Sequence, residues 1–96
     1  MNEKPLLFVS YDEKLREIAA RFVAIRKREM ISRQRLSAIS GVPYSSIRRF
    51  ESLGEISLSS LVKLALALRL YEDIDNLFKH EPKYQSIEDL IRDQKN

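Results

Sequence analysis

The chain has 96 residues with two glycines, three prolines, no cysteine and no tryptophan, a length that fits one small domain. Its 44% hydrophobic and 32% charged residues supply a core and exclude compositional disorder, and no apolar run approaches the ~20 residues of a membrane span. Without cysteine, and with His80 as the single histidine, disulfides, thiolate metal sites and most imidazole clusters are excluded. The opening Met1-Asn2-Glu3-Lys4-Pro5 lacks the basic-then-apolar pattern of a secretion signal, so a cytoplasmic protein is expected.

The net charge of +3 hides a segregation. Residues 21–49 carry eight cations (Arg21, Arg26, Lys27, Arg28, Arg33, Arg35, Arg48, Arg49) against Glu29, a balance of +7, whereas residues 71–96 balance at −3. Seven of those eight cations are arginine, whose planar head suits phosphates and guanine edges. Such segregation points to a polyanionic partner.

Sparse glycine and proline and spaced apolar residues predict an all-helical chain. Leu6-Leu7-Phe8-Val9 is a short apolar arm with strand character, so residues 1–10 are expected to stand apart from the domain over 11–80. Ser10 and Glu13 have capping-box spacing, and Leu15, Ile18, Ala19, Phe22 and Ile25 then mark the inward face of a first helix reaching about Glu29. Ser32 is expected to cap a short second helix carrying Leu36 and Ile39 and closed by Gly41. A third helix starts near Pro43 or Tyr44, turns Ile47 and Phe50 inward and ends at Gly54. Ser57 or Ser59 caps a fourth, with Leu58, Leu61, Leu64, Ala65 and Leu68 as its buried stripe. A fifth, over 72–79, is expected to open on Glu72, Asp73 and Asp75, bury Ile74, Leu77 and Phe78, and have its end capped by His80. Glu81-Pro82 breaks the chain, and residues 81–96, with Tyr84, Ile87, Leu90 and Ile91 at helical spacing, form an extension suited to dimer or partner contact.

The stretch Ser32–Glu51, SRQRLSAISGVPYSSIRRFE, places two short helices around a glycine turn. Its pattern L-x-x-[IL]-x-G-V, followed by Ile47 and then Arg-x-Glu, resembles the lambda-repressor-like (XRE or Cro type) helix-turn-helix family. The resemblance spans about Leu15 to Phe78 and implies a five-helix, all-α domain that binds double-stranded DNA, with the third helix entering the major groove. It further implies base contacts from Tyr44, Ser45, Arg48 and Arg49, phosphate contacts from Ser32, Arg33, Gln34 and Ser46, and a structural ion pair between Arg26 and Glu51. Two positions depart from the family pattern. Arg33 stands where glutamine is common, and Met30 where the first helix usually ends in glycine.

A narrower similarity, over SSIRRFE and the leucine-rich segment after it, is to HipB-type regulators encoded beside HipA-type kinase toxins. It implies a homodimeric repressor of its own toxin–antitoxin operon, with a near-palindromic operator and a HipA-type kinase as a partner. The competing reading is an antitoxin subunit whose main role is to hold or inhibit that kinase. No nucleophile–base pair or phosphate-binding loop is legible, so neither enzymatic activity nor a cofactor is expected.

Overall fold

The computed structural model describes residues 10–80 together with 91 and 92. Of the expected arm over 1–10 only Ser10 is described, and it caps the first helix. The break at Glu81-Pro82, and Tyr84, Ile87 and Leu90, lie outside the described residues. Among the described residues the fold is all-α, with five principal helices: α1 (Tyr11–Arg28), α2 (Arg33–Ser40), α3 (Tyr44–Leu53), α4 (Leu58–Ala67) and α5 (Tyr71–Asp75). Helix α1 packs on α3, α2 packs on both α3 and α4, and α5 rests on α4. This is the lambda-repressor-like arrangement.

Three helices start on a serine whose side chain accepts a hydrogen bond from the backbone N–H three residues on. Ser10 takes that of Glu13, Ser32 that of Arg35 and Ser57 that of Ser60. Each bond satisfies a donor that has no partner inside the helix, so Ser57, not Ser59, sets the start of α4. Pro43 precedes α3 without a side-chain cap.

The core is built from Ala19 and Phe22 of α1, Leu36 of α2, Val42 of the turn, Ile47 and Phe50 of α3, and Leu64 and Leu68 from α4 and its C-cap. Phe22 and Phe50 meet edge to face with ring centroids 5.4 Å apart, the arrangement that the ring quadrupoles favour. Gly41 and Gly54 both adopt left-handed φ, +79° and +78°. Gly54 is needed twice over, because a Cβ there would lie 2.5 Å from the carbonyl carbon of Leu15. The end of α3 thereby docks directly against the backbone of α1.

Helix α1 ends without glycine, yet keeps the geometry that glycine usually supplies. Met30 adopts φ +59°, its N–H donates to the Lys27 carbonyl, and the Ile31 N–H donates to the Arg26 carbonyl. Those two bonds are the Schellman pair that closes a helix. Helix α4 ends in the same way, with Arg69 at φ +63° and bonds from Arg69 to Leu66 and from Leu70 to Ala65. A left-handed residue with a side chain costs about 1–2 kcal/mol, and the Met30 side chain, 90% exposed, recovers little of this by packing. Met30→Gly is therefore expected to raise unfolding free energy by about 0.5–1 kcal/mol, after the added entropy of a glycine in the unfolded chain. A denaturant midpoint that falls instead would contradict this account of the turn.

Several expectations need correction. Ile39, placed in the core by periodicity, is 45% exposed: it shares a side of α2 with Leu36 but stands nearly one turn further on, at an open depression that it lines with Ile31, Arg35 and Leu68. Leu58, placed on the buried stripe of α4, is 67% exposed. It is the first residue of the helix, more than a full turn before the buried Leu64 and Ala65. Ile18 of α1 is also exposed.

The largest difference is in α5, which ends at Asp75 and not at 79. Glu72 and Asp73 do occupy its first turn, but Leu77 and Phe78 lie beyond it and are exposed. Phe78 takes φ +62°, which turns the chain away from the helical path. The helix is capped by Asn76, so His80, four residues further on, does not cap it.

Candidate nucleic-acid interface

Helix α2, the turn and α3 are locked together by side chains as well as by the core. The Ser37 hydroxyl donates to the Val42 carbonyl at 2.7 Å, and the Val42 N–H donates to the Ser40 hydroxyl at 3.1 Å. The Gly41 N–H donates to the Ser37 carbonyl. Every polar group of the sharp turn that these bonds reach is satisfied within six residues. The angle between the two helices is set locally.

Burial of Ile47 and Phe50 fixes the rotation of α3 about its axis. At about 100° per residue, the opposite side carries Ser45, Arg48 and Arg49, all exposed, with Tyr44 at its border. Arg48 makes no hydrogen bond or ion pair among the described residues. Arg49 does: its Nη2 pairs with Glu55 Oε1 in an exposed contact. The two arginines thus lie toward different edges of the helix. Arg49 overhangs a depression lined by Ser46, Glu55, Ile56, Ser57 and Ser60, and Ser46 is half-buried there.

The other edge of α3 meets the start of α2 through a buried carboxylate. Arg26 of α1 donates to Glu51 twice, Nε to Oε2 at 2.7 Å and Nη2 to Oε1 at 3.1 Å. Its Nη1 donates to the Ile31 carbonyl at 2.8 Å. A bidentate guanidinium–carboxylate contact is among the stronger charge-assisted bonds, and here both side chains are almost fully buried. This ties α1, the turn after it and α3 into one unit.

Arg33 joins the same carboxylate, with Nε 2.7 Å from Glu51 Oε1. Burial pushes the Glu51 carboxyl up, but the hydrogen bonds from Arg26 and Arg33 outweigh it and hold the group below its ordinary value. In return the Glu51 hydrogen bond and charge, with the Tyr44 hydroxyl contributing least, raise the Arg33 guanidinium.

The remaining residues of the expected site fall nearby. Ser32 caps α2 and Gln34 is exposed in its first turn. Arg33 links α2 to α3 through Glu51; Gln34, Tyr44, Ser45 and Arg48 are exposed on their helices, and Arg49 and Ser46 line the depression on the other edge of α3. Sequence patterning did not single out Glu55, which lies six residues from Arg49 across Gly54. That spacing is not a neighbour relation on any helix, so no periodic signal marks the pair.

Among the described residues no group of three or more metal-ligating side chains is gathered in one place, and no helix is long and apolar enough to cross a membrane. No curated protein and no solved structure gives a significant match to the chain. The family model described as helix-turn-helix matches residues 24–74, a span that begins in the last turns of α1 and takes in α2, the glycine turn, α3 and α4. With more than half of its length matched, and with the turn and exposed α3 face in place, the chain belongs to the helix-turn-helix family of DNA-binding regulators.

Proposed function

We propose that this protein is a sequence-specific transcriptional repressor that acts as a homodimer on a near-palindromic operator upstream of its own gene. The observation that carries this reading is the solvent face of α3. Tyr44, Ser45, Arg48 and Arg49 stand on it while Ile47 and Phe50 are held in the core. A helix presented in this way fits the major groove, where arginine pairs with the O6 and N7 of guanine. Ser32, Arg33, Gln34 and Ser46 flank it and supply phosphate contacts that fix register without reading sequence.

One domain of this size reads only a short half-site. Two copies with recognition helices about 34 Å apart reach successive major grooves on one side of the duplex. Repression follows from covering the promoter, in a cytoplasmic protein that joins the nucleoid when bound. The resemblance to HipB-type regulators extends the proposal to a toxin–antitoxin operon and a HipA-type kinase partner, for which co-purification with the neighbouring gene product is the direct check.

The experiment for the DNA-binding core of the proposal is a fluorescence-polarisation titration against a duplex of the gene's own upstream DNA and against a random-sequence duplex. The upstream duplex is expected to bind at least about a thousandfold more tightly. Both affinities should fall as salt rises, with a logarithmic slope of about −0.9 for each phosphate neutralised. Equal affinity for the two duplexes would remove sequence specificity from the proposal, and no binding to either would remove DNA.

A further inference from the structure

The ion-pair cluster at the α1–α2–α3 junction contains two cations and one anion. Glu51 lies between Arg26 and Arg33, and its Oε1 accepts from both, at 3.1 Å and 2.7 Å. Arg26 is buried, and its other terminal nitrogen donates to the Ile31 carbonyl, so it is out of a solvent-borne ligand's reach. The surplus positive charge of the trio has one outlet to solvent, the Arg33 side chain, which is 41% exposed where Glu51 is 4% exposed. Arg33 is also the first residue of α2, beside backbone N–H groups that have no partner within the helix.

We propose that Glu51, besides joining α1 to α3, is a positioning residue for DNA binding. It grips the Arg33 guanidinium by its Nε edge and thereby presents the terminal nitrogens to a backbone phosphate at the start of α2. The proposal rests on the DNA-binding reading above and assigns this contact a geometry. Arginine suits the task because its fork of donors serves two acceptors at once, Glu51 on one edge and a phosphate on the other. A lysine has one ammonium on a flexible stem, and that group must choose between the buried carboxylate and the DNA. The side chain is ordered before DNA arrives, which lowers the entropy lost on contact.

The test compares the wild-type chain with Arg33→Ala and Arg33→Lys, each titrated with the upstream duplex and with a random-sequence duplex over a salt series. A hydrogen-bonded charged contact predicts that Arg33→Ala weakens binding to both duplexes by about tenfold and flattens the salt slope by about 0.9. Its melting temperature should stay near that of the wild type, because the Arg26–Glu51 pair remains. Arg33→Lys is expected to recover little of the loss. It keeps a cation beside Glu51 and so decides the matter if the alanine variant melts early.

Unchanged affinity and slope in Arg33→Ala would overturn the contact. A loss confined to the upstream duplex would overturn its assignment to phosphate. Full recovery in Arg33→Lys would show that charge alone suffices and overturn the positioning role of Glu51. Failure of the wild-type chain to bind either duplex would remove the DNA-binding reading along with this one, a result distinct from the other three.

Discussion

Replacing Arg48 and Arg49 together by alanine is expected to lower affinity for the upstream duplex by on the order of a hundredfold or more, with little change in melting temperature. A good bidentate contact to guanine discriminates by about 1–3 kcal/mol, and removing two of them at the middle of that range reaches this magnitude. Both side chains are exposed, and neither belongs to the core cluster. Their removal therefore leaves no cavity and no buried charge. The single variants are expected to differ. Arg48 has no partner among the described residues, so all of its donors remain for DNA. Arg49 must first leave Glu55, an exposed pair worth about 0–1 kcal/mol, and its net contribution falls by that amount. Arg48→Ala is thus expected to cost more than Arg49→Ala. Binding to random-sequence duplex should fall only by the counterion share, which follows charge and not base identity. If the double variant retains full preference for upstream over random DNA, α3 is not the element that reads sequence.

How much of this surface the sequence reveals depends on whether a feature is local. The caps at Ser10 and Ser32 and the stops at Gly41 and Gly54 are legible because hydrogen bonding and left-handed φ act over three or four residues. The inward positions Leu36, Ile47 and Phe50 are legible because helical periodicity separates one face from another. What periodicity lacks is any knowledge of what covers that face. Ile39 and Leu58 have the right spacing, yet both remain exposed.

The end of α5 shows a second limit. Leu77 and Phe78 continue the apolar spacing of Ile74, yet the chain turns left-handed at Phe78 with neither glycine nor proline to announce it. Met30 is the converse case. A residue that ordinarily avoids positive φ is held there by two backbone bonds, so the missing glycine changes the cost of the turn and not its shape. The contacts that organise the interface are less legible still. Arg33 and Glu51 are 18 residues apart, and only the crossing of α2 and α3 brings them to 2.7 Å. Arg26 and Glu51 were expected as a pair from the family resemblance. The third member, which gives the cluster its exposed charge, required the fold.

The same carboxylate carries the second large prediction. Glu51→Ala is expected to destabilise the domain by about 3–5 kcal/mol, the range for removing one partner of a buried ion pair. The cost arises because Arg26 would stay buried with one hydrogen bond, to the Ile31 carbonyl, and an uncompensated charge. Arg33, half in solvent, turns to water at little cost. In a domain whose whole stability is on the order of 5–15 kcal/mol, this corresponds to a fall in melting temperature of about 15 °C or more. Replacing both partners by apolar residues, as in Arg26→Met with Glu51→Leu, should recover much of the loss, since exchanging a buried pair for hydrophobic groups of similar volume is often neutral or better.

The sign of the pH dependence follows from the lowered folded-state value of Glu51. Its contribution is fully present above the ordinary carboxyl value of 4.5 and is lost as pH falls below that toward the depressed value in the folded chain. Wild-type and Glu51→Ala unfolding free energies, measured by denaturant titration, should therefore lie furthest apart near neutral pH and draw together in acid. The double apolar variant should lack this part of the acid sensitivity. A gap between wild type and Glu51→Ala that stays constant through acid would place the effect of residue 51 in packing and not in its charge. A gap under about 1 kcal/mol at neutral pH would put the cluster among pairs that add little to stability, and would leave the docking of α3 on α1 to Gly54, Phe22 and Phe50 alone.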